Sequence, residues 1–208
     1  MKSFKKHCLL AFIAIYLQIS LFPTAGNAEP DKELEARRIE AGLLSRQVDL
    51  TALRTWSPQR QQWSTLASPH APMLVLHLWA ADCKPCVSEL PVLRNFVQSW
   101  RDSADTQFLF VAETESEERL LSFWNSQMAA ESPRIPLVQI GDERIRSILE
   151  TGRQPLTLIL DTNWVVRQAF VGSVAARATE LSAAMSRFLA VLRAQGAKAV
   201  RASSRKGA

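Results

Sequence analysis

An apolar run, Met73–Trp79 (MLVLHLW), leads within four residues to Cys83-Lys84-Pro85-Cys86, and no other feature constrains this chain as much. A short, almost continuous apolar run predicts a strand buried on both faces. Beyond Cys86, residues Leu90, Leu93 and Val97 recur at helical spacing as far as about Trp100, with Pro91 expected to bend that helix early. The cysteines therefore sit at a strand-to-helix junction, with Cys83 at the helix N-terminus. Unpaired backbone N–H groups and the helix dipole favour an anion there, which stabilises a Cys83 thiolate. Only the thiolate attacks a disulfide. The two-residue spacing lets Cys86 reach back and displace the resulting mixed disulfide. Pro85 suits the first turn, where its missing N–H is not needed.

Two other uses of such a pair are weaker. A Cys-x-x-Cys is half of a zinc site, but structural zinc takes four ligands. Past residue 28 the chain offers only His70 and His77 and no second cysteine pair, so no metal is expected. As a staple, the pair closes too short a loop to restrict the unfolded chain much. Redox chemistry remains.

The N-terminus places the pair in an oxidising compartment. Met1–His7 is basic, and Cys8–Phe22 is an apolar stretch of 15 residues. Pro23 breaks it, and Gly26-Asn27-Ala28 supplies the small residues of a cleavage site. Residues 1–28 thus read as a secretory signal cleaved after Ala28. The alternative is an uncleaved membrane anchor, although spanning takes about 20 residues. Cys8 follows charged Lys5-Lys6-His7, which argues against lipid attachment. Loss of Lys2, Lys5 and Lys6 lowers the net charge from +5 to +2, which is no nucleic-acid footprint.

The rest of the 208 residues allows one domain with extras. Residues 29–47 read as an exposed N-terminal helix or arm with a thin apolar line (Leu34, Ile39, Leu43, Leu44). Val48–Ala71 reads as an approach segment whose Trp56 and Trp63 pack on the domain edge. Further strands are expected at Phe108–Ala112, Ile135–Ile140 and Leu156–Leu160. A turn at Asp161-Thr162-Asn163 leads to a returning strand, Trp164–Val171, which makes a hairpin. Thr114 and Glu117 are spaced as a capping box for a helix carrying Leu120, Leu121, Phe123, Trp124 and Met128. A short helix is expected at Asp142–Leu149, ended by Gly152, and a last one at Ala175–Leu192. The domain proper is taken as 48–194, and the basic tail 195–208 is expected to be disordered. Alternating strands and helices imply parallel crossovers, and the closing hairpin adds an antiparallel edge. The fold class is α/β, a sandwich around one mixed sheet.

Together these residues resemble the thioredoxin superfamily, and within it the exported TlpA/ResA/DsbE-like branch. The likeness covers roughly Val48–Leu192. It rests on Trp79-Ala80, the cysteine pair, Glu89-Leu90-Pro91, and the segment from Gln154 through Pro155 and Leu156 to Asp161. The stretch between Phe108 and Gly152 resembles the extra strand and helix that this branch inserts. The resemblance implies a periplasmic thiol–disulfide oxidoreductase of protein substrates, with no cofactor beyond the Cys83–Cys86 disulfide. A reductase recharged by a membrane electron donor, for instance in cytochrome c maturation, is the leading form. An oxidase or isomerase of the same fold, or a dithiol module handling copper, are the alternatives.

Residue by residue, Cys83 resembles the attacking and Cys86 the resolving cysteine. Pro155 matches a cis-proline that faces the pair, and Gln154 and Trp79 fall among the substrate-binding positions. Glu89 matches a glutamate that tunes thiol pKa and moves protons, and on a helix it shares a face with Cys86; the plainer reading is a solvated carboxylate. Asp82 and Lys84 flank Cys83 with opposite charges and opposite effects on its pKa. Pro85 stands with them as a tuning residue. His77 occupies the position of a buried acid or Asn and is either a proton shuttle or a hydrogen-bonded core histidine. Two departures are Trp164, where a glycine is common in the closing turn, and Leu156, where Thr is frequent. Export of the full chain in a bacterial host should yield a mature protein starting at Glu29. Mass spectrometry of the secreted fraction distinguishes it from an uncleaved anchor.

Overall fold

A computed structural model describes residues 30–57, 59–67, 71–100, 102–113, 116–127, 137–140 and 154–206. The expected signal segment, His70, Thr114, Met128, the first two residues of the strand at 135–140 and the helix at 142–149 with Gly152 lie outside these residues. The described elements, in order, are α1 (Pro30–Leu43), β1 (Leu53–Ser57), β2 (Gln62–Thr65), β3 (Met73–Trp79), α2 (Lys84–Ser99), β4 (Thr106–Ala112), α3 (Glu117–Gln127), β5 (Leu137–Ile140), β6 (Leu156–Leu160), β7 (Val166–Val171) and α4 (Ala178–Lys206). The strands form one mixed sheet in the order β2-β1-β5-β4-β3-β6-β7. From Ala36 onward the chain is a single compact unit.

β3 lies inside the sheet and is buried along its whole length. It pairs parallel with β4 and antiparallel with β6. Its alternating side chains divide the core in two. Met73, Val75 and Trp79 point to one face, where they pack with Cys86, Leu90 and Leu93 of α2, Leu120 and Trp124 of α3, and Leu181, Met185 and Leu189 of α4. Leu74, Leu76 and Leu78 point to the other, against Leu43 of α1 and the Val48 and Leu50 that follow it. α2, α3 and α4 thus each bury an apolar stripe against the sheet, and α1 adds Leu43 from its last turn, which gives the expected α/β sandwich. β6 runs antiparallel to β3, not parallel. Its register sets Leu156 opposite Leu78, so Pro155 lies at the sheet end from which the cysteine segment departs.

Two expectations need correction. Val48–Ala71 is not a plain approach segment. Its β1 and β2 form an antiparallel hairpin, with β1 docked on β5. The cause is a cross-strand aromatic pair, the stabilising unit of a short hairpin. Trp56 and Trp63 sit directly opposite with ring centres 5.6 Å apart. Arg54 lies over the Trp63 ring and reaches Glu117 of α3 at 2.7 Å. Both tryptophans do pack against the first core cluster, as expected. Second, the last helix runs past its expected end at Leu192: α4 continues to Lys206. The apolar stripe ends near Leu192 and residues Arg193–Ala197 are exposed. Arg193 ties the start of this stretch to Asp105 at 2.8 Å, and beyond it the alanines, Lys198 and Arg201 favour a helix by propensity. Among the described residues no helix is long and apolar enough to cross a membrane.

The β6–β7 hairpin forms despite Trp164, which takes φ 60°, a conformation that costs a non-glycine residue about 1–2 kcal/mol. Asp161 offsets that cost. Its buried carboxylate accepts from the Asn163 and Val165 amides and from Arg167. Those bonds hold its carboxyl below the usual range although burial acts in the opposite direction. Gly172 closes β7 with φ 86° and donates its N–H to Pro155 O at 2.8 Å, a backbone that a side chain would strain. Asp161→Ala is expected to destabilise the protein by about 2 kcal/mol, since it removes hydrogen bonds to a charged acceptor. Urea unfolding measures the difference.

Candidate functional site

The sequence breaks out of β3 at Ala80. Cys83 N–H bonds Ala80 O at 3.2 Å in a tight turn, and α2 begins with Lys84. Cys83 is the residue that caps the helix: its backbone is extended and its sulfur accepts from Cys86 N at 3.2 Å. Pro85 lies in the first turn, exposed. Cys83 and Cys86 form a disulfide with Cα atoms 5.3 Å apart. The two sulfurs are unequal. Cys83 is partly exposed, whereas Cys86 is 0 % exposed and belongs to the first core cluster. An external thiolate can therefore reach only Cys83. The Cys86 N–H, part of the positive helix end, is in place to receive the charge that develops on Cys83.

Asp82 and Lys84 are both exposed, so solvent screens their opposed influence on the pair. α2 passes through Pro91 without interruption. The proline costs the helix the bond that an amide there would give to Val87 O.

Glu89 is not a solvated carboxylate. It is 1 % exposed, and its Oε2 accepts from Ser173 Oγ at 2.7 Å and the Val174 amide at 2.8 Å. His77 lies opposite it on β3, 2 % exposed, with Nε2 3.5 Å from Glu89 Oε1. His77 Nδ1 lies 2.8 Å from Thr157 Oγ1, its cross-strand neighbour on β6. Its ring tilts against Phe110 at 5.4 Å. Burial holds the His77 pKa down at about 3. Burial also raises that of Glu89, against the lowering effect of its hydrogen bonds from Ser173 and Val174.

The Gln154–Pro155 bond is cis. Pro155 is buried and Gln154 is partly exposed. The Gln154 amide donates to the Glu113 carboxylate. Glu113 follows β4, and its N–H is tied to Trp79 O at 2.8 Å, which joins the cis-proline loop to the ends of β3 and β4. Trp79 does not line a substrate surface. It is 0 % exposed, with Phe123 and Trp124 of α3 at ring-centre distances of 5.4 and 6.3 Å. As an odd-numbered residue of β3 it points into the first core and forms the floor below the cysteines. Thr157, Ser173 and Glu113 were not singled out from the sequence. Thr157 alone carried a signal, being two residues beyond Pro155 and so on the same strand face.

Among the described residues no group of three or more His, Cys, Asp or Glu is placed to hold a metal ion. No protein-family model and no curated protein matches the chain. Solved structures do. A protein from Chlorobium tepidum, provisionally titled thiol:disulfide interchange protein DsbE, superposes with a TM-score of 0.55 at 15% identity, over 69% of this chain and 98% of that one. The thioredoxin-related protein from Neisseria meningitidis serogroup B gives 0.53 at 20%, over 66% and 98%. DsbF of MTB, in mixed oxidised and reduced forms, gives 0.50 at 17%, over 68% and 98%. The fold is thioredoxin-like. The cysteine junction and the cis Gln154–Pro155 bond lie at the same end of the paired strands β3 and β6.

The buried pair makes stability depend on pH in two opposed ways. His77 stays neutral down to about pH 3, whereas an unfolded histidine protonates near 6.5. Between those values the unfolded chain binds the extra proton, so this contribution is lost as pH falls. Glu89 has the reverse sign: its folded form keeps a proton above the ordinary carboxyl value, so its contribution is lost as pH rises. Urea titrations from pH 4 to 7 should show His77→Leu losing less stability on acidification than wild type. Glu89→Gln should gain on wild type as pH rises.

Proposed function

We propose that this chain is an exported thiol–disulfide oxidoreductase that exchanges the Cys83–Cys86 disulfide with cysteines of other proteins. One observation carries the reading: a single disulfide caps a helix with one sulfur partly exposed and the other in the core. A staple needs no such asymmetry, but exchange does. In the reducing direction Cys83 attacks a substrate disulfide as thiolate and forms a mixed disulfide. One substrate sulfur leaves. Cys86 then attacks Cys83, breaks the bond to the substrate and releases its second sulfur reduced. In this reading Gln154 and Pro155, at the same end of the sheet as Cys83, border the approach to it, together with the exposed Asp82, Lys84 and Pro85.

One solved structure of this fold bears the name of a thiol:disulfide interchange protein, and another was obtained in mixed oxidised and reduced forms, which supports exchange as the activity. The basic and apolar N-terminus supports export to the periplasm, either released after Ala28 or held at the membrane. We take the direction to be reductive, with reducing equivalents from a membrane donor and exported proteins as substrates. Apocytochrome c cysteines are one such substrate class.

Cys83→Ser should abolish exchange with a disulfide substrate, and Cys86→Ser should accumulate a mixed disulfide on Cys83. A Cys86→Ser protein that traps nothing, while wild type exchanges normally, sinks the assignment of roles. Equilibration with glutathione or dithiothreitol gives the direction. A potential near about −270 mV marks a donor of electrons, and one near about −120 mV marks an oxidant.

A further inference from the structure

Beneath the cysteine helix, two buried titratable side chains meet in an incomplete contact. His77 Nε2 and Glu89 Oε1 lie 3.5 Å apart, and among the described residues neither has a hydrogen-bond partner. The remaining polar atoms of both residues are engaged. Nδ1 lies 2.8 Å from Thr157 Oγ1. Oε2 accepts from Ser173 Oγ at 2.7 Å, the Val174 amide at 2.8 Å and the Ala175 amide at 3.4 Å. The groups set against the pair are the Phe110 ring from β4, Thr157 from β6, and Ser173 with the Val174 amide after β7. None of these is charged. The next buried side chain toward the start of α2 is Cys86.

When Nδ1–H donates to Thr157, Nε2 presents a lone pair, and it faces a carboxylate oxygen that also presents lone pairs. Two desolvated acceptors facing each other repel and are unsatisfied, and a buried polar group without a partner is costly. A single proton between them removes both faults, as a carboxylic acid donating to a neutral imidazole. We propose that His77 is a positioning residue that holds one proton on the Glu89 carboxyl in the oxidised protein, the proton Cys86 takes when the disulfide opens. The inference rests on the exchange activity proposed above.

The step balances with a dithiol as reductant. One thiolate of the dithiol attacks Cys83 sulfur, and the Cys83–Cys86 bond breaks with its electron pair leaving on Cys86. Cys86 is enclosed in the core, where a bare thiolate is disfavoured, and Glu89 lies one turn along the same helix face. The proton passes to Cys86, and Glu89 remains as a carboxylate held by Ser173 and Val174 until solvent restores its proton. The second thiolate of the dithiol then frees Cys83 as thiolate, and the dithiol departs as its own disulfide. Two electrons have moved to the pair, and one proton to Cys86.

Infrared and nitrogen NMR spectroscopy of the oxidised full chain at neutral pH test the proton without requiring turnover. The proposal expects the C=O band of one protonated carboxyl, absent in Glu89→Gln and shifted to higher frequency in His77→Leu, where its acceptor is gone. Nitrogen shifts of His77 should report a neutral ring protonated on Nδ1. His77→Gln, which keeps an acceptor, should restore the band toward its wild-type position, and this second variant guards against a folding defect in the first. A positioned general acid contributes about 10²–10⁴-fold. Reduction of the disulfide by dithiothreitol should therefore slow about 10²-fold in Glu89→Gln and at least about tenfold in His77→Leu, with partial recovery in His77→Gln. An ionised Glu89 in the wild type, a ring protonated on Nε2, or a band that ignores His77→Leu overturns the proposal while leaving thiol exchange intact. A protonated Glu89 in a wild-type protein that dithiothreitol does not reduce overturns the exchange reading, and with it the destination given to the proton.

Discussion

Everything at the reactive end depends on β3 being unable to move. It is hydrogen-bonded on both sides and buried on both faces. A slip by one residue would turn each of its side chains to the opposite face. Leu74, Leu76 and Leu78 would then meet α2 and α4, and His77 would enter the purely apolar second core. Such a state loses two cores at once, so the register is strongly fixed. Because β3 is fixed, the turn at Ala80 is fixed, and with it the N-terminus of α2. The position of Cys83 is inherited from the sheet and not imposed by local loop contacts.

The same geometry explains why polar groups are found in so apolar a place. His77, Glu89 and Thr157 come from three different elements and meet on the face that carries the α2 helix. Each would be expensive to bury alone. Together with Ser173 and the amides after β7 they satisfy all but two of their own polar atoms. Low local dielectric strengthens each of these bonds, so the cluster is rigid and sensitive to the loss of any member. The cis-proline loop joins this arrangement through Thr157, two residues on, and through the bond of Pro155 O to Gly172 just ahead of Ser173.

The sequence was most readable where a single principle dominated. The unbroken apolar run of β3 could only be a buried strand, and the cysteines at its end could only open a helix. Glu89, His77, Gln154 and Pro155 were each picked out individually. The pairing of His77 with Glu89 was not, because it depends on how α2 rests on the sheet and not on any spacing along the chain. Trp79 was misjudged as substrate-facing because an aromatic beside a reactive cysteine gives no sign of its direction until the parity of the strand is known. The β1–β2 hairpin was hidden by its polar content: Arg54, Thr55 and Gln62 obscure the alternation, and two tryptophans hold it together. The end of α4 was placed too early because apolar periodicity stops before helix propensity does.

The outer edge of β7 has a further consequence. Ser45–Val48 runs beside its start, with Ser45 N to Val166 O and Val166 N to Arg46 O at 2.9 and 2.8 Å. At its far end the Val171 amide is taken by Glu40, which Arg177 holds at 2.7 Å. A strand edge with free amides is a template for another chain. Here groups at both ends of that edge are occupied by Glu40 and by the Ser45–Val48 stretch. With both ends of this edge taken by its own chain, the sheet offers little purchase there to another extended strand, which guards the protein against edge-to-edge aggregation.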